Sequence, residues 1–132
     1  VLNYYGHSNV KILDGGWSEW SSLNLPIESG PPFPYKSSLF TTDYVNQTIQ
    51  SDVEKLKLAI GNDDSLIWDV RSDDEYSGAN SRGNNRVGHI PGAVHLEWTN
   101  LVNEDQTFKS TKDLESLLIS VGISSEKRIH IY

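Results

Sequence analysis

Three short apolar runs carry the pattern of buried β-strands. Residues 65–70 (SLIWDV) are apolar at nearly every position, which is typical of a strand covered on both faces in a parallel sheet. Residues 93–96 (AVHL) and 128–132 (RIHIY) are shorter runs of the same kind. We predict a strand in each run, and the most apolar of them should lie in the middle of the sheet.

Two weaker strand candidates lie nearer the start of the chain. Residues 10–13 (VKIL) form a short run with two β-branched residues, and Asp14, Gly15 and Gly16 follow it as a turn sequence. Residues 38–40 (SLF) could form another short strand. Both predictions rest on local composition alone.

A first helix is predicted between residues 42 and 61. Its apolar positions are spaced by four, four, three and four, which places them on one helical face; they are Val45, Ile49, Val53, Leu56 and Ile60. Thr42 or Asp43 would cap its start. Gly61 would end it.

A second helix is predicted from its cap. Ser110 and Asp113 have the spacing of a capping box. The apolar residues after them again share one face before Gly122 ends the helix; they are Leu114, Leu117, Leu118 and Val121. Strands that alternate with helices indicate an α/β fold with a mostly parallel sheet, flanked by helices.

The carboxyl ends of the predicted strands are where a ligand site is expected. In open α/β sheets, ligands bind in the crevice beyond these ends. Asp69, Arg71 and whatever follows Tyr132 should therefore lie near one another. Residues 72–88 form a polar, glycine-rich loop, and a loop of that length is more often functional than not.

The net charge of the chain makes two classes of binding partner unfavourable. The chain of 132 residues has a net charge of -7 and a pI near 4.9, so it would repel nucleic acid phosphates and anionic membranes. We expect neither as a partner. No apolar run approaches the length of a membrane-spanning helix, and the first ten residues do not resemble a signal peptide. We leave the compartment open, with cytoplasm or mitochondrion favoured over secretion.

The chain contains no cysteine and no methionine. Disulfides and thiolate chemistry are therefore excluded within these residues. Because the first residue is not Met, we expect the chain to be part of a longer protein. His7, His95 and His130 lack metal-ligand spacing, so we predict no metal, and no cofactor is implied.

Three segments together resemble the rhodanese superfamily of tandem sulfurtransferases. They are LIWDVRSDDEYSG at 66–78, GHIPGAVHLEW at 88–98 and NVKILDGGWSEW at 9–20. In such a module the last of these strings closes the fold, whereas here it comes first. The resemblance implies that residues 1–24 are the tail of one rhodanese module and residues 35–132 the first part of a second. Residues 25–34, with four prolines, would form the linker.

The resemblance also implies a function for the longer protein. It would move a sulfane sulfur from thiosulfate, or from 3-mercaptopyruvate, to a thiophilic acceptor such as cyanide through a cysteine persulfide. The cysteine would come directly after Tyr132, so this chain alone should be inactive. The partners implied are a small anionic donor, the acceptor and the other rhodanese module of the same chain.

Arginines are the candidate substrate-binding residues, because the donors are anions and a guanidinium binds oxyanions through a planar fork. The resemblance implies Arg82. We add Arg71 because it lies at the end of the predicted central strand, and Arg86 because it lies in the same loop as Arg82. Asp69 and His89 would support the site. Glu75 departs from the pattern of mercaptopyruvate enzymes, which weakens that donor in particular.

Other interpretations stay open for the same residues. Arg71 could instead pair with Asp73 or Asp74, while Arg82 and Arg86 could be solvated loop charges. At the level of function, the alternative is a catalytically silent rhodanese module with an interaction or regulatory role, because one fold supports many functions. A phosphatase of related fold is a third possibility.

Overall fold

The computed structural model describes residues 1–42 and 44–132, which form two units. The first contains Val1–Gln50 and Asp105–Thr107, and the second contains Ser51–Glu104 and Phe108–Tyr132. The module boundaries proposed near residues 24 and 35 stay a prediction.

The first unit contains helix α1, Gly16–Ser22, and a 3-10 turn at Gln47–Ile49. The predicted turn before α1 is present, and Gly15 adopts a left-handed φ of 73° there. A Cβ at this position would lie 2.5 Å from the Cβ of Glu19, so both the angle and the space require glycine.

Neither weak strand prediction in the first unit was correct. Residues 10–13 and 38–40 are irregular, and Ile12 and Leu39 are almost fully exposed. A strand needs a neighbour to take up its ladder hydrogen bonds. Among the described residues of this unit neither run is paired, so a locally favourable composition was not enough.

The second unit is built on a three-stranded parallel sheet. The strands are β1 (Ser65–Asp69), β2 (Val94–His95) and β3 (Arg128–Ile131), in the order β2-β1-β3. Trp68 pairs with Val94 on one side of β1 and with Ile131 on the other. The predicted central strand, the parallel sheet and the α/β class are all confirmed.

Alternation along β1 divides the core between the two faces of the sheet. Leu66 and Trp68 pack on one face with residues of helix α4, Thr111–Ser120. Ile67 packs on the other face with Ala59 and Ala93. The indole Nε1 of Trp68 donates to the backbone oxygen of Leu96 at 2.9 Å, so its one polar atom is satisfied.

The predicted helix over residues 42–61 is shorter in the structure. Helix α2 spans only Val53–Ala59 and begins at Asp52, whose carboxylate accepts from the backbone N–H of Lys55. Upstream, the Asn46 side chain accepts from the backbone N–H of Thr48 and starts the separate 3-10 turn. Short polar side chains that bind nearby backbone compete with helix propagation. Of the two predicted caps, Thr42 starts no helix and Asp43 lies outside the described residues.

Helix α4 was predicted correctly at both ends. The hydroxyl of Ser110 accepts from the backbone N–H of Asp113. After the helix, Gly122 takes a left-handed φ of 81°, and its N–H donates to the carbonyl of Ile119. The turn at Gly122 places Ile123 in the core.

Candidate anion site at the carboxyl edge of the sheet

The ends of β1 and β3 lie side by side, as predicted. Beyond the assigned strands the ladder continues, because the N–H of Val70 donates to the carbonyl of Tyr132 at 3.1 Å. Arg71, directly after Val70, and Tyr132 therefore leave the sheet at the same edge. A parallel sheet brings these two positions together although sixty residues separate them along the chain.

Asp69 and Arg71 form a two-point ion pair at this edge. The guanidinium Nε donates to Asp69 Oδ1 at 2.9 Å and Nη2 donates to Oδ2 at 2.5 Å. The Asp69 side chain is completely buried, whereas that of Arg71 is 29% exposed. Our alternative interpretation of Arg71 named Asp73 or Asp74 as the partner, and the structure corrects it to Asp69.

Burial would raise the pKa of Asp69, but hydrogen bonds outweigh it. The side chain and backbone N–H of Arg71, together with Tyr132, hold the pKa of Asp69 below its usual value. The hydrogen bond to Asp69 likewise raises the pKa of Arg71. Both groups are therefore charged at neutral pH, which is the condition for a buried ion pair to persist.

Tyr132 lies at this edge of the sheet, although the sequence did not identify it as a site residue. Its hydroxyl accepts from the backbone N–H of Ile90 at 2.9 Å, and its ring lies 5.1 Å from the Arg71 guanidinium carbon. Burial raises its pKa, so the phenol stays neutral. The available signal was its position: it ends the strand beside the one that leads to Arg71.

Arg71 and Tyr132 together anchor the turn at residues 88–91 to the sheet edge. Arg71 Nη2 donates to the carbonyl of Gly88 at 3.0 Å, while Tyr132 binds the backbone N–H of Ile90. Two side chains from neighbouring strand ends thus fix one turn at two points.

His89 is held by backbone, as expected of a histidine in a turn. Its Nδ1 lies 2.9 Å from the carbonyl oxygen of Tyr76, so this nitrogen carries the proton. The imidazole stacks on the Tyr76 ring at 3.7 Å, and His95 stacks on Tyr76 at 4.4 Å. The Nε2 of His95 lies 2.9 Å from the carbonyl of Arg71, which links the stack to the strand end.

The predicted loop over residues 72–88 begins with a helix. Helix α3 spans Asp73–Ser77 and starts with a capping box between Ser72 and Glu75. Asp73 and Asp74 lie in its first turn, where negatively charged side chains interact favourably with the helix dipole. The loop prediction was therefore wrong over Asp73–Ser77, and the spacing of Ser72 and Glu75 was the signal for the helix.

The loop arginines have different surroundings. Arg82 Nε lies 3.3 Å from Glu75 Oε2, and its side chain is 65% exposed. The hydrogen bond from Ser72 lowers the pKa of Glu75 and the charge of Arg82 lowers it further, so Glu75 is a carboxylate. Arg86 has no ion-pair partner among residues 1–42 and 44–132, and its side chain lines a cleft.

This cleft has a volume of about 470 Å³ and lies between α2 and the turn at residues 88–91. Its lining side chains and backbone are those of Val53, Leu56, Lys57, Ile60, Arg71, Arg86, Val87, Gly88, His89, Ile90, Pro91 and Tyr132. Of the predicted site residues, Arg71, Arg86 and His89 meet here. Asp69 is buried beneath Arg71, and Arg82 does not line the cleft.

Two features of the described residues concern metal ions and membranes. No group of three or more His, Asp or Glu side chains in that part of the chain could hold a metal ion. Among its helices, none combines the length and apolarity that crossing a bilayer requires.

Residues 52–132 match the family description "Rhodanese-like domain". The chain belongs to the rhodanese family. It is 37% identical over 135 residues to "Putative thiosulfate sulfurtransferase 1" of Mycobacterium bovis, covering 97% of this chain and 48% of that protein. It is 32% identical to "Sulfur carrier protein TtuD" of Thermus thermophilus, covering 99% of this chain and 49% of that one. The rhodanese chain thus spans about half the length of these curated relatives.

Solved structures support the same fold. A variant of EanB in complex with ergothioneine superposes with a TM-score of 0.87 at 26% identity, covering 99% of this chain and 33% of EanB. YnjE superposes with a TM-score of 0.85 at 25% identity, covering 99% of this chain and 34% of YnjE. The rhodanese-like fold predicted from the three motif strings is confirmed, and relatives named as sulfurtransferases support sulfur transfer in general.

Proposed function

We propose that the protein containing this chain transfers sulfane sulfur from thiosulfate, or from 3-mercaptopyruvate, to a thiophilic acceptor such as cyanide. In this proposal the sulfur is carried as a persulfide on a cysteine that follows Tyr132, and residues 1–132 alone are inactive. The single observation that carries the proposal is the cationic cleft at the joint end of β1 and β3, where Arg71 and Tyr132 meet.

The cleft offers hydrogen-bond donors that the fold leaves free. Arg71 uses Nε and Nη2 for Asp69 and Gly88, and within the described residues its Nη1 donates to no protein group. Arg86 is unpaired in the same part of the chain. Two guanidinium groups that face one cleft can bind the oxyanion or carboxylate end of a sulfur donor.

The structure favours Arg86 over Arg82 as the second substrate cation. Glu75 holds Arg82 away from the cleft lining and offsets its charge, so Arg82 would bind substrate only after that pair separates. We therefore propose Arg71 and Arg86 as the main anion-binding residues, with Arg82 as a peripheral one. Mercaptopyruvate would need an additional residue that binds its carboxylate group. Thiosulfate is therefore the favoured donor.

The remaining predicted residues would act indirectly. Asp69 orients the Arg71 guanidinium through two hydrogen bonds. His89 and Tyr132 position the turn that forms one wall of the cleft. Each would be a positioning residue, because none of them supplies a free cation to the ligand.

The experiment that tests the proposal compares the full-length protein with a version truncated after Tyr132. Thiosulfate-to-cyanide transfer is measured as thiocyanate formed. We expect activity only in the full-length protein, where replacement of the first cysteine after Tyr132 by serine should abolish it. Equal activity in the truncated version would place the nucleophile elsewhere.

The alternative function is a catalytically silent module, and one observation favours it. Arg71 uses its Nε and Nη2 for structural bonds to Asp69 and Gly88 within the edge. If the full-length protein showed neither thiocyanate formation nor a persulfide after incubation with thiosulfate, an interaction or regulatory role would replace catalysis.

A further inference from the structure

Tyr76 lies on helix α3 and does not line the cleft. Its ring is stacked between two imidazoles, with centroid distances of 3.7 Å to His89 and 4.4 Å to His95. The imidazole planes are tilted from the phenol plane by only 9° and 14°. The three rings come from different segments of the chain, so the stack joins helix α3, the turn at residues 88–91 and strand β2.

Hydrogen bonds reinforce the stack. The backbone carbonyl of Tyr76 accepts from Nδ1 of His89 at 2.9 Å, and its hydroxyl donates to the carbonyl of Ala93 at 3.3 Å. Nε2 of His95 donates to the carbonyl of Arg71 at 2.9 Å. Tyr76 therefore contacts the turn directly and the backbone of Arg71 through one histidine.

The end of helix α3 also lies against the turn. Gly78 has a φ of 87°, and a Cβ at this position would lie 3.1 Å from the backbone nitrogen of Gly88 and 3.4 Å from the Cβ of Val87. Only a residue without a side chain lets the helix end approach the turn this closely.

We propose that Tyr76 is a positioning residue of the cationic cleft and holds the turn at residues 88–91 in place through His89 and His95. This inference rests on the proposed function, because sulfur transfer is the reaction that the cleft would serve.

The position of the turn matters because the turn holds the guanidinium of Arg71. Nη2 of Arg71 donates to the carbonyl of Gly88 at 3.0 Å, one residue before His89. If the turn moved, only Asp69 would still orient the guanidinium. Tyr76 thus acts on anion affinity without contacting the anion.

Replacement of Tyr76 in the full-length protein tests the inference. Tyr76→Leu removes the stack, so the KM for thiosulfate and the Kd for inorganic sulfate should each rise about fivefold as charge-assisted contacts weaken. The kcat should change less than about twofold, because a contact made equally in the ground state and the transition state affects KM alone. Sulfate is an unreactive probe, and calorimetric titration measures its affinity.

Tyr76→Phe is the conservative variant. It keeps the ring and loses only the hydroxyl bond to Ala93, so both constants should stay within about twofold of wild type. Ring-current shifts of the His89 and His95 imidazole resonances should persist in Tyr76→Phe and disappear in Tyr76→Leu. Equal losses of affinity in the two variants would assign the effect to the hydroxyl and overturn the role of the stack.

Leu118→Ala is the control for a general loss of stability. Leu118 packs against the core cluster of Leu66 and Trp68 and does not line the cleft. This variant should unfold at a lower urea concentration and keep the wild-type KM for thiosulfate. A rise of KM as large as that in Tyr76→Leu would show that Tyr76 is only structural.

Gly78→Ala displaces the turn by a second route and replaces Tyr76→Leu if that variant does not fold. Its Cβ would crowd the backbone nitrogen of Gly88, and the left-handed φ disfavours alanine. The KM for thiosulfate and the Kd for sulfate should again rise. Unchanged values of both constants in either folded variant would overturn the inference.

Failure of the inference differs from failure of the proposed function. If the wild type bound sulfate but formed no thiocyanate, sulfur transfer would be wrong, and the sulfate affinities would still decide the role of Tyr76. Sulfur transfer with the same KM in wild type and Tyr76→Leu would leave the function and remove this inference. A wild type that neither bound sulfate nor transferred sulfur would remove both.

Discussion

The three candidate arginines occupy two different kinds of surroundings. Arg71 follows a central strand, pairs with the fully buried Asp69 and is fixed by a backbone carbonyl. Arg82 and Arg86 lie in an irregular loop, where Arg82 pairs with Glu75 and Arg86 is unpaired within the described residues. Arg71 should therefore determine the shape of the site, whereas Arg86 should determine its affinity for an anion.

The difference shows that charge alone does not identify a binding residue. All three side chains carry the same group, and all three precede the same turn in sequence. What distinguishes them is how many of their N–H donors the fold already uses. Variants of the full-length protein test this contrast.

The largest effect is expected from Asp69→Asn. The change would leave the Arg71 guanidinium without its buried counter-charge, and loss of one partner from a buried pair costs about 3 kcal/mol. The free energy of unfolding in urea should fall by about that amount. Asp73→Asn, at a side chain that is 91% exposed, is the control and should change stability by less than about 0.5 kcal/mol. Similar decreases in the free energy of unfolding of both variants would contradict the role of Asp69 as the buried ion-pair partner of Arg71.

The same pair predicts a pH dependence of stability. Because the folded pKa of Asp69 is below the ordinary value of 3.8, its contribution to stability is fully present above that value. The contribution is lost as pH falls through the lower folded pKa. The stability difference between wild type and Asp69→Asn should therefore shrink below about pH 4, as measured by urea unfolding at a series of pH values. A difference that stays constant down to pH 2 would contradict this assignment.

A smaller loss of stability is expected from Tyr132→Phe. Removal of the hydroxyl leaves the N–H of Ile90 without its acceptor, which costs about 1–2 kcal/mol. Hydrogen exchange should also become faster at the Ile90 amide. Tyr76→Phe is a suitable comparison, since its hydroxyl donates to the carbonyl of Ala93 at 3.3 Å and removal should leave Ile90 protected. Unchanged exchange at Ile90 in Tyr132→Phe would show that the turn is held by other contacts.

An effect on substrate affinity without loss of stability is expected from Arg86→Gln. This arginine has no structural partner among the described residues, so unfolding should be unaffected. The KM for thiosulfate should rise about tenfold, which corresponds to about 1.4 kcal/mol. If kcat fell and KM did not change, Arg86 would act on the reaction and not on binding.

The smallest effect is expected from Arg82→Gln. Because Glu75 already offsets this charge, the KM for thiosulfate should change less than about twofold. A pair whose arginine is 65% exposed contributes at most about 1 kcal/mol to stability. Glu75→Gln extends the comparison, since it frees Arg82 and should lower the KM. A tenfold rise of KM in Arg82→Gln would mean that Arg82 enters the cleft despite its pair with Glu75.

Prediction from sequence succeeded where a pattern depends on a continuous segment. The central strand at residues 65–69, helix α4 with its Ser110 cap and the rhodanese motifs all belong to this class. Prediction failed for residues 10–13 and for the start of α2. Residues 10–13 have no partner strand among the described residues of the first unit. At α2, the side chains of Asn46 and Asp52 start two separate helical segments where one periodic segment was predicted.

The candidate site was predicted only in part. The meeting of Arg71 with the end of the third strand followed from the parallel sheet. The actual partner of Arg71, the anchoring role of Tyr132 and the exclusion of Arg82 were not predicted. Each depends on which of several nearby acids or hydroxyls lies within hydrogen-bonding distance.

The sequence by itself determined the rhodanese family, the α/β class and the edge of the sheet at which chemistry is expected, because strand pattern and motif order are local properties of the chain. Only the tertiary structure decided which arginine is fixed and which is unpaired. Hydrogen bonds act over about 3 Å, and the contacts that join Gly88 and Ile90 to the strand ends form only when the sheet is assembled.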